Sequence, residues 1–176
     1  MKNYFLLPVI AALIFSSSHA FAQAPSADES ALFNRSLQLQ QDADLAVAQI
    51  RSVKQFNAYL ASAPSSVAFK LPPSVLKGFT RSMVFTEKGL ASYSYNGLTD
   101  YLSTKEIYEL LSLFGVQKTI SAIPGIFAKN SIETKIIEGN TQIGPAANRD
   151  TYCLINGPRR LCRPEYRSIC SQACGP

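Results

Sequence analysis

Four cysteines, Cys153, Cys162, Cys170 and Cys174, stand within the last 24 residues of the chain. Cysteine at this density offers three chemistries: covalent bridges, a thiolate metal site, or a redox-active pair. The spacing C-x8-C-x7-C-x3-C lacks the paired C-x2-C knuckles of most all-cysteine zinc sites. It also lacks the C-x-x-C of thiol oxidoreductases. Two structural disulfides are therefore expected, with no metal and no cofactor. Asn156-Gly157-Pro158 is a strong turn signal that sets Cys153 opposite Cys162. The simplest pairing is then Cys153 with Cys162 and Cys170 with Cys174. A regular helix through the last pair would make that bridge awkward and favours Cys153 with Cys174 and Cys162 with Cys170.

Five arginines share the cysteine segment: Arg149, Arg159, Arg160, Arg163 and Arg167, against only Asp150 and Glu165. A guanidinium is a planar fork suited to carboxylate and phosphate. Arg159, Arg160, Arg163 and Arg167, held among cysteines, are the candidate contact residues for an acidic partner. Tyr93 and Tyr95 alternate with serine and are candidates for an adaptable binding face, because tyrosine couples rigid area to a polar tip.

Catalysis has little to work with. The chain has one histidine, His19, and no tryptophan. His19 lies in a segment that reads as a cleaved leader. Its loss excludes Ser-His-Asp and Cys-His chemistry and imidazole-based metal sites. Carboxylates alone remain as a common hydrolytic route, through a pair such as Glu106 and Glu109 on one helix. The alternative reading is thus a small envelope hydrolase, a carboxylate glycosidase acting on cell-wall glycan. Ser74-Val75-Leu76-Lys77, Ser94-Tyr95-Asn96 and Lys118-Thr119-Ile120 together resemble the three motifs of penicillin-binding proteins and serine β-lactamases. Ile120 stands where that family needs glycine, and the motifs lie too close together for its fold. The resemblance carries no assignment.

The elements that must position these residues fall into three segments. Residues 1–22 hold Lys2, an apolar run and Ala20-Phe21-Ala22, the pattern of a secretory signal cut after Ala22. No second apolar run is long enough for a membrane span. A periplasmic or secreted product is expected, and with export and no recognised nucleic-acid module, no nucleic-acid partner.

Residues 23–145 predict a globular α+β domain, helical in its N-terminal half. Ser26 with Glu29 has the spacing of a capping box before an Ala/Leu/Gln-rich helix, which either runs unbroken or breaks near Gln41-Asp42. Ser52 opens a second helix and Pro72-Pro73 a third. Met83 to Tyr95 predicts a hairpin turning at Glu87-Lys88-Gly89. Ser103 and Glu106 form a second capping box before Ile107, Leu110, Leu111 and Phe114. Residues 132–137 (IETKII) alternate like a strand. Residues 146–176 form the stapled, arginine-rich tail packed on that domain. The expected function is that of an exported, non-catalytic binding protein whose tail contacts an acidic protein or an anionic envelope polymer.

Overall fold

The computed structural model describes residues 27–141, 147–156 and 160–175. The expected leader 1–22, the Ser26 cap and Arg159 lie outside the described residues. The fold is α+β, with a helical N-terminal half followed by a four-stranded antiparallel sheet in the order β1-β2-β4-β3. Helix α1 spans Ala27–Ala46 without a break at Gln41-Asp42. It meets the body through its last turns, where Gln41 and Leu45 are buried. Helix α2 (Val53–Ser62) starts at Ser52, whose hydroxyl accepts from the Gln55 amide at 3.1 Å. Helix α3 (Pro73–Ser82) opens with proline at its first position, where no amide is needed.

The sheet begins with β1 (Val84–Thr86) and β2 (Gly89–Ser94), the expected hairpin. A short turn of helix, α4 (Leu98–Tyr101), leads to α5 (Thr104–Ser112), where both bonds of the Ser103–Glu106 capping box form. Ile107, Leu110, Leu111 and Phe114 are fully buried, as their spacing requires. Gly115, at φ +70°, ends that run, and a Cβ there would lie 2.4 Å from the Asp44 carbonyl oxygen. Glycine is the residue that lets the end of α1 sit on the end of α5, and the Ile50 amide seals the approach by donating to the Leu113 carbonyl at 3.0 Å.

Phe56, Phe79 and Phe114 form the aromatic centre of the core. The Phe56 ring meets Phe114 edge-on at 5.2 Å and Phe79 at 6.2 Å, and Phe79 in turn meets Tyr93 at 5.9 Å. Such edge-to-face pairs contribute roughly 0.5–1.5 kcal/mol each beyond area burial. They tie α2, α3 and the segment after α5 to the face of β2.

Two expectations are overturned. Residues 132–137 are not a strand but part of helix α6 (Ser131–Thr141). Asn130 Oδ1 caps it, accepting from the amides of Ile132 and Glu133. The positions turned inward are Glu133, Ile136 and Asn140, a helical spacing that a six-residue window reads equally as alternation.

The second is the simplest disulfide pairing; the structure takes the alternative that the sequence left open. Strands β3 (Ala147–Leu154) and β4 (Leu161–Ser171) do set Cys153 directly opposite Cys162. The bridges nonetheless run Cys153–Cys174 and Cys162–Cys170. Cys162 and Cys170 are eight residues apart on one strand, yet their Cα atoms lie 5.9 Å apart. A straight strand would separate them by about 26 Å. The ribbon doubles back at an elbow: Arg149 pairs with Ile169, but Thr151 pairs with Pro164, leaving residues 165–168 looped out of register. Beyond the elbow, the sulfurs of Cys153 and Cys162 face the proximal arm, where Cys170 and Cys174 receive them. The tail is also more than an appendage, because β4 pairs with β2 through Tyr93 and Ile169 and lies inside the sheet.

This topology has a direct readout. Trypsin without reduction should yield one species joining 150–159, 161–167 and 168–176, whereas bridges between sequence neighbours would release 168–176 alone. Replacing Cys153 and Cys174 by alanine should cost about 3 kcal/mol, and replacing Cys162 and Cys170 about 2.5 kcal/mol, following loop length. Chemical denaturation of the two double variants checks that order.

Candidate binding site at the hairpin elbow

The elbow is made by two residues in the left-handed region, Asp150 at φ 56° and Arg167 at φ 59°. Aspartate tolerates that conformation better than most residues; arginine has no such excuse and is held there by its surroundings. Asp150 Oδ1 accepts from the Tyr95 hydroxyl at 2.7 Å and from the Arg167 amide at 2.9 Å. The Arg167 carbonyl accepts from the Tyr95 amide at 2.9 Å and the Ser94 hydroxyl at 3.0 Å. The end of β2 therefore clamps both arms of the bend.

These contacts set the charge states. The Tyr95 hydroxyl and the Arg167 amide hold the Asp150 carboxyl below its ordinary range. Burial, followed by the hydrogen bond and charge of Asp150, pushes the Tyr95 hydroxyl up to about 12. Arg167 donates from one terminal nitrogen to Asn96 Oδ1 at 2.6 Å, and its guanidinium lies over the Tyr166 ring at 5.1 Å from the centroid. An open cleft of about 290 Å³ borders the bend, lined by Tyr95, Asn96, Thr99, Asp100, Tyr166 and Arg167 among others.

Beyond the elbow the ribbon has two faces. Strand pairing places Tyr152 opposite Arg163 and Leu154 opposite Leu161, and alternation puts all four on the side away from Cys153 and Cys162. Arg163 and Leu161 are exposed, while Tyr152 and Leu154 are half-buried.

The sequence-derived candidates separate on this frame. Arg160 forms an ion pair with Glu87, which draws the Glu87 carboxyl down and the guanidinium up. Arg167 belongs to the elbow. Arg163 has no partner among the described residues. The arginines thus occupy distinct places. Tyr93 offers no contact face: it is fully buried, its hydroxyl 2.6 Å from Thr119 Oγ1, because both faces of β2 are covered. Burial raises its pKa further still.

Glu106 and Glu109 are both engaged. Lys70 pairs with Glu106, and with the Ser103 amide and hydroxyl it holds that carboxyl down to about 2. Glu109 pairs with Lys105 one turn earlier. Glu106 is thus ionised at neutral pH and has no proton to donate. Lys118 of the short motifs lies 3.7 Å from Asp44, while Ser74 and Lys77 are exposed on α3. The sulfurs of Cys153, Cys170 and Cys174 lie within 4.8 Å of one another, but as disulfides they carry no thiolate for a metal.

Sequence reasoning missed Asp150, Asn96 and Tyr166. Asp150 counted only as an offset to tail charge, since nothing local announces that a strand will bend at it. Comparison with protein-family models, with curated proteins and with solved structures finds no match to this chain.

Two expected outcomes test the electrostatics. Glu106 has a native pKa below its unfolded value, so the folded state binds fewer protons. Its stabilisation is complete above about pH 4.5 and is lost as pH falls towards about 2. Glu106→Gln should flatten the stability–pH curve in that window, read by thermal unfolding from pH 2 to 6. Tyr95→Phe removes a hydrogen bond to a charged acceptor and should cost about 2 kcal/mol. In the same variant the Asp150 carboxyl should titrate closer to its ordinary value, read by carbon NMR.

Proposed function

We propose that this chain is an exported binding protein that performs no covalent chemistry and contacts its partner through the outer face of the folded ribbon. The observation carrying the reading is the grouping of Tyr152, Leu154, Leu161 and Arg163 on one face of an arm held by two bridges. Aromatic and aliphatic area around one uncommitted guanidinium has the composition of an interface centre. A rigid presenting arm loses little conformational freedom on binding. The partner chemistry that fits Arg163 is a carboxylate or phosphate group, carried by an acidic protein surface or an anionic envelope polymer. Export rests on the leader pattern in 1–22 and on the use of all four cysteines in bridges.

Arg163 takes the central place over Arg160, because Arg160 already spends its charge on Glu87. Surface plasmon resonance of the purified protein against lipopolysaccharide and against isolated acidic envelope proteins tests this. Arg163→Glu should weaken the interaction at least tenfold and reduce its salt dependence, with Arg160→Ala having a smaller effect. Equal binding by Arg163→Glu, or no binding by the native protein to either class, overturns the assignment.

A further inference from the structure

The elbow cleft is a separate feature from the outer face of the ribbon. It shares none of that face's residues, and its chemistry is different. Asp150 is largely engaged by the fold, with two donors on Oδ1 and the Arg149 guanidinium paired with Oδ2 at 3.6 Å, beyond hydrogen-bond range. Other polar groups on the cleft wall are not. Among the described residues, the Thr99 hydroxyl and the Asp100 carboxylate have no hydrogen-bond partner, although the Asp100 charge acts on Arg167. Arg167 commits one nitrogen to Asn96 and also engages the Tyr166 side chain, but a guanidinium carries several N–H donors, and the Asn96 side chain keeps its amide donors. Beside them stands Tyr166, 75% exposed, with the Arg167 guanidinium over one face of its ring.

The signs of these groups select the ligand. Counting Arg149 beside Asp150, two carboxylates face two guanidinium groups, so a bare anion and a bare cation each meet a like charge. A neutral ligand rich in hydroxyl groups meets no such penalty, because each hydroxyl both donates and accepts. Its donors suit Asp100, its acceptors suit Arg167 and Asn96, and its C–H faces suit the ring of Tyr166. The volume of about 290 Å³ is at the small end of ligand sites. We infer that the elbow cleft is a saccharide-binding site in which Tyr166 supplies the stacking surface and Asn96, Thr99, Asp100 and Arg167 bond the sugar hydroxyls.

The bend is built for this in a physical sense. A glycine at 167 would adopt the left-handed conformation without strain, yet the fold holds an arginine there and aims its guanidinium along the cleft wall. The Asp150 and Asn96 bonds fix that arm before any ligand arrives, so little ordering is left for binding.

The test is an amide NMR titration of the purified, oxidised protein. The sugar probes are the β-1,4-linked dimer of N-acetylglucosamine and maltose; inorganic phosphate and putrescine serve as anionic and cationic probes. At least one sugar should shift the amides of Asn96, Thr99, Asp100, Tyr166 and Arg167 as a group. Asp100→Asn and Tyr166→Ala, both at exposed positions with the native spectrum as a check of folding, should each weaken that binding at least tenfold. The inference is overturned if neither sugar moves the cleft amides at tens of millimolar. It is equally overturned if phosphate or putrescine alone moves them, or if both variants bind sugar like the native chain.

Discussion

One ionised carboxylate turns the C-terminal hairpin. Asp150 accepts from the Tyr95 hydroxyl, just past the end of β2, and from the Arg167 amide in β4. Holding both at once forces Asp150 and Arg167 into left-handed conformations, and the ribbon folds back over itself. The rest of the C-terminal architecture follows from that bend. Cys162 reaches Cys170, Cys153 reaches Cys174, and the end of the arm comes near enough to β1 and β2 for Arg160 to meet Glu87. The disulfides and the hydrogen bonds at the elbow hold the same geometry.

The elbow can act this way because β2 beneath it is rigid. That strand is buried along nearly its whole length, packed by the aromatic cluster through Tyr93 and flanked in the sheet by β1 and β4. Tyr93 and Tyr95 leave it two residues apart and end in different tasks, one bonded to Thr119 in the core and the other to Asp150 at the bend. The support continues to the helices, where α1 seats on α5 through Gly115. Close by, Asp44 and Lys118 face each other at 3.7 Å, an ion pair without a hydrogen bond, which leaves Asp44 Oδ2 unsatisfied among the described residues. That seat has less polar satisfaction than the elbow has.

Local signals were legible wherever the chain's own neighbours decide the outcome. The caps at Ser52 and Ser103, the proline opening α3, the β1–β2 turn and the buried stripe of α5 all follow from interactions spanning a few residues. Legibility failed where a short pattern fits two periods. In α6 Ile132, Thr134 and Ile136 alternate with Glu133 and Lys135, yet the Asn130 cap and the inward Glu133, Ile136 and Asn140 make a helix. Glu133 reinforces the point: a buried carboxylate is an unlikely inward residue by composition, but amides of Lys105 and Lys129 approach it at 3.4 and 2.7 Å.

The sequence by itself determined the α+β class, the helical N-terminal half, most element starts, and the opposition of Cys153 to Cys162 across a turn. It also set the chemical inventory: bridges over thiols, arginine over lysine in the tail, and no histidine beyond His19. Tertiary structure decided which cysteines join, which arginines are free, and that Tyr93 is core while Asp150 and Tyr166 border a cleft. The reason is range. Caps, turns and helical stripes are written in residues that touch along the chain, whereas the elbow depends on Tyr95 meeting Asp150 across 55 positions. No spacing rule reads a contact of that separation until the sheet has brought its two ends together.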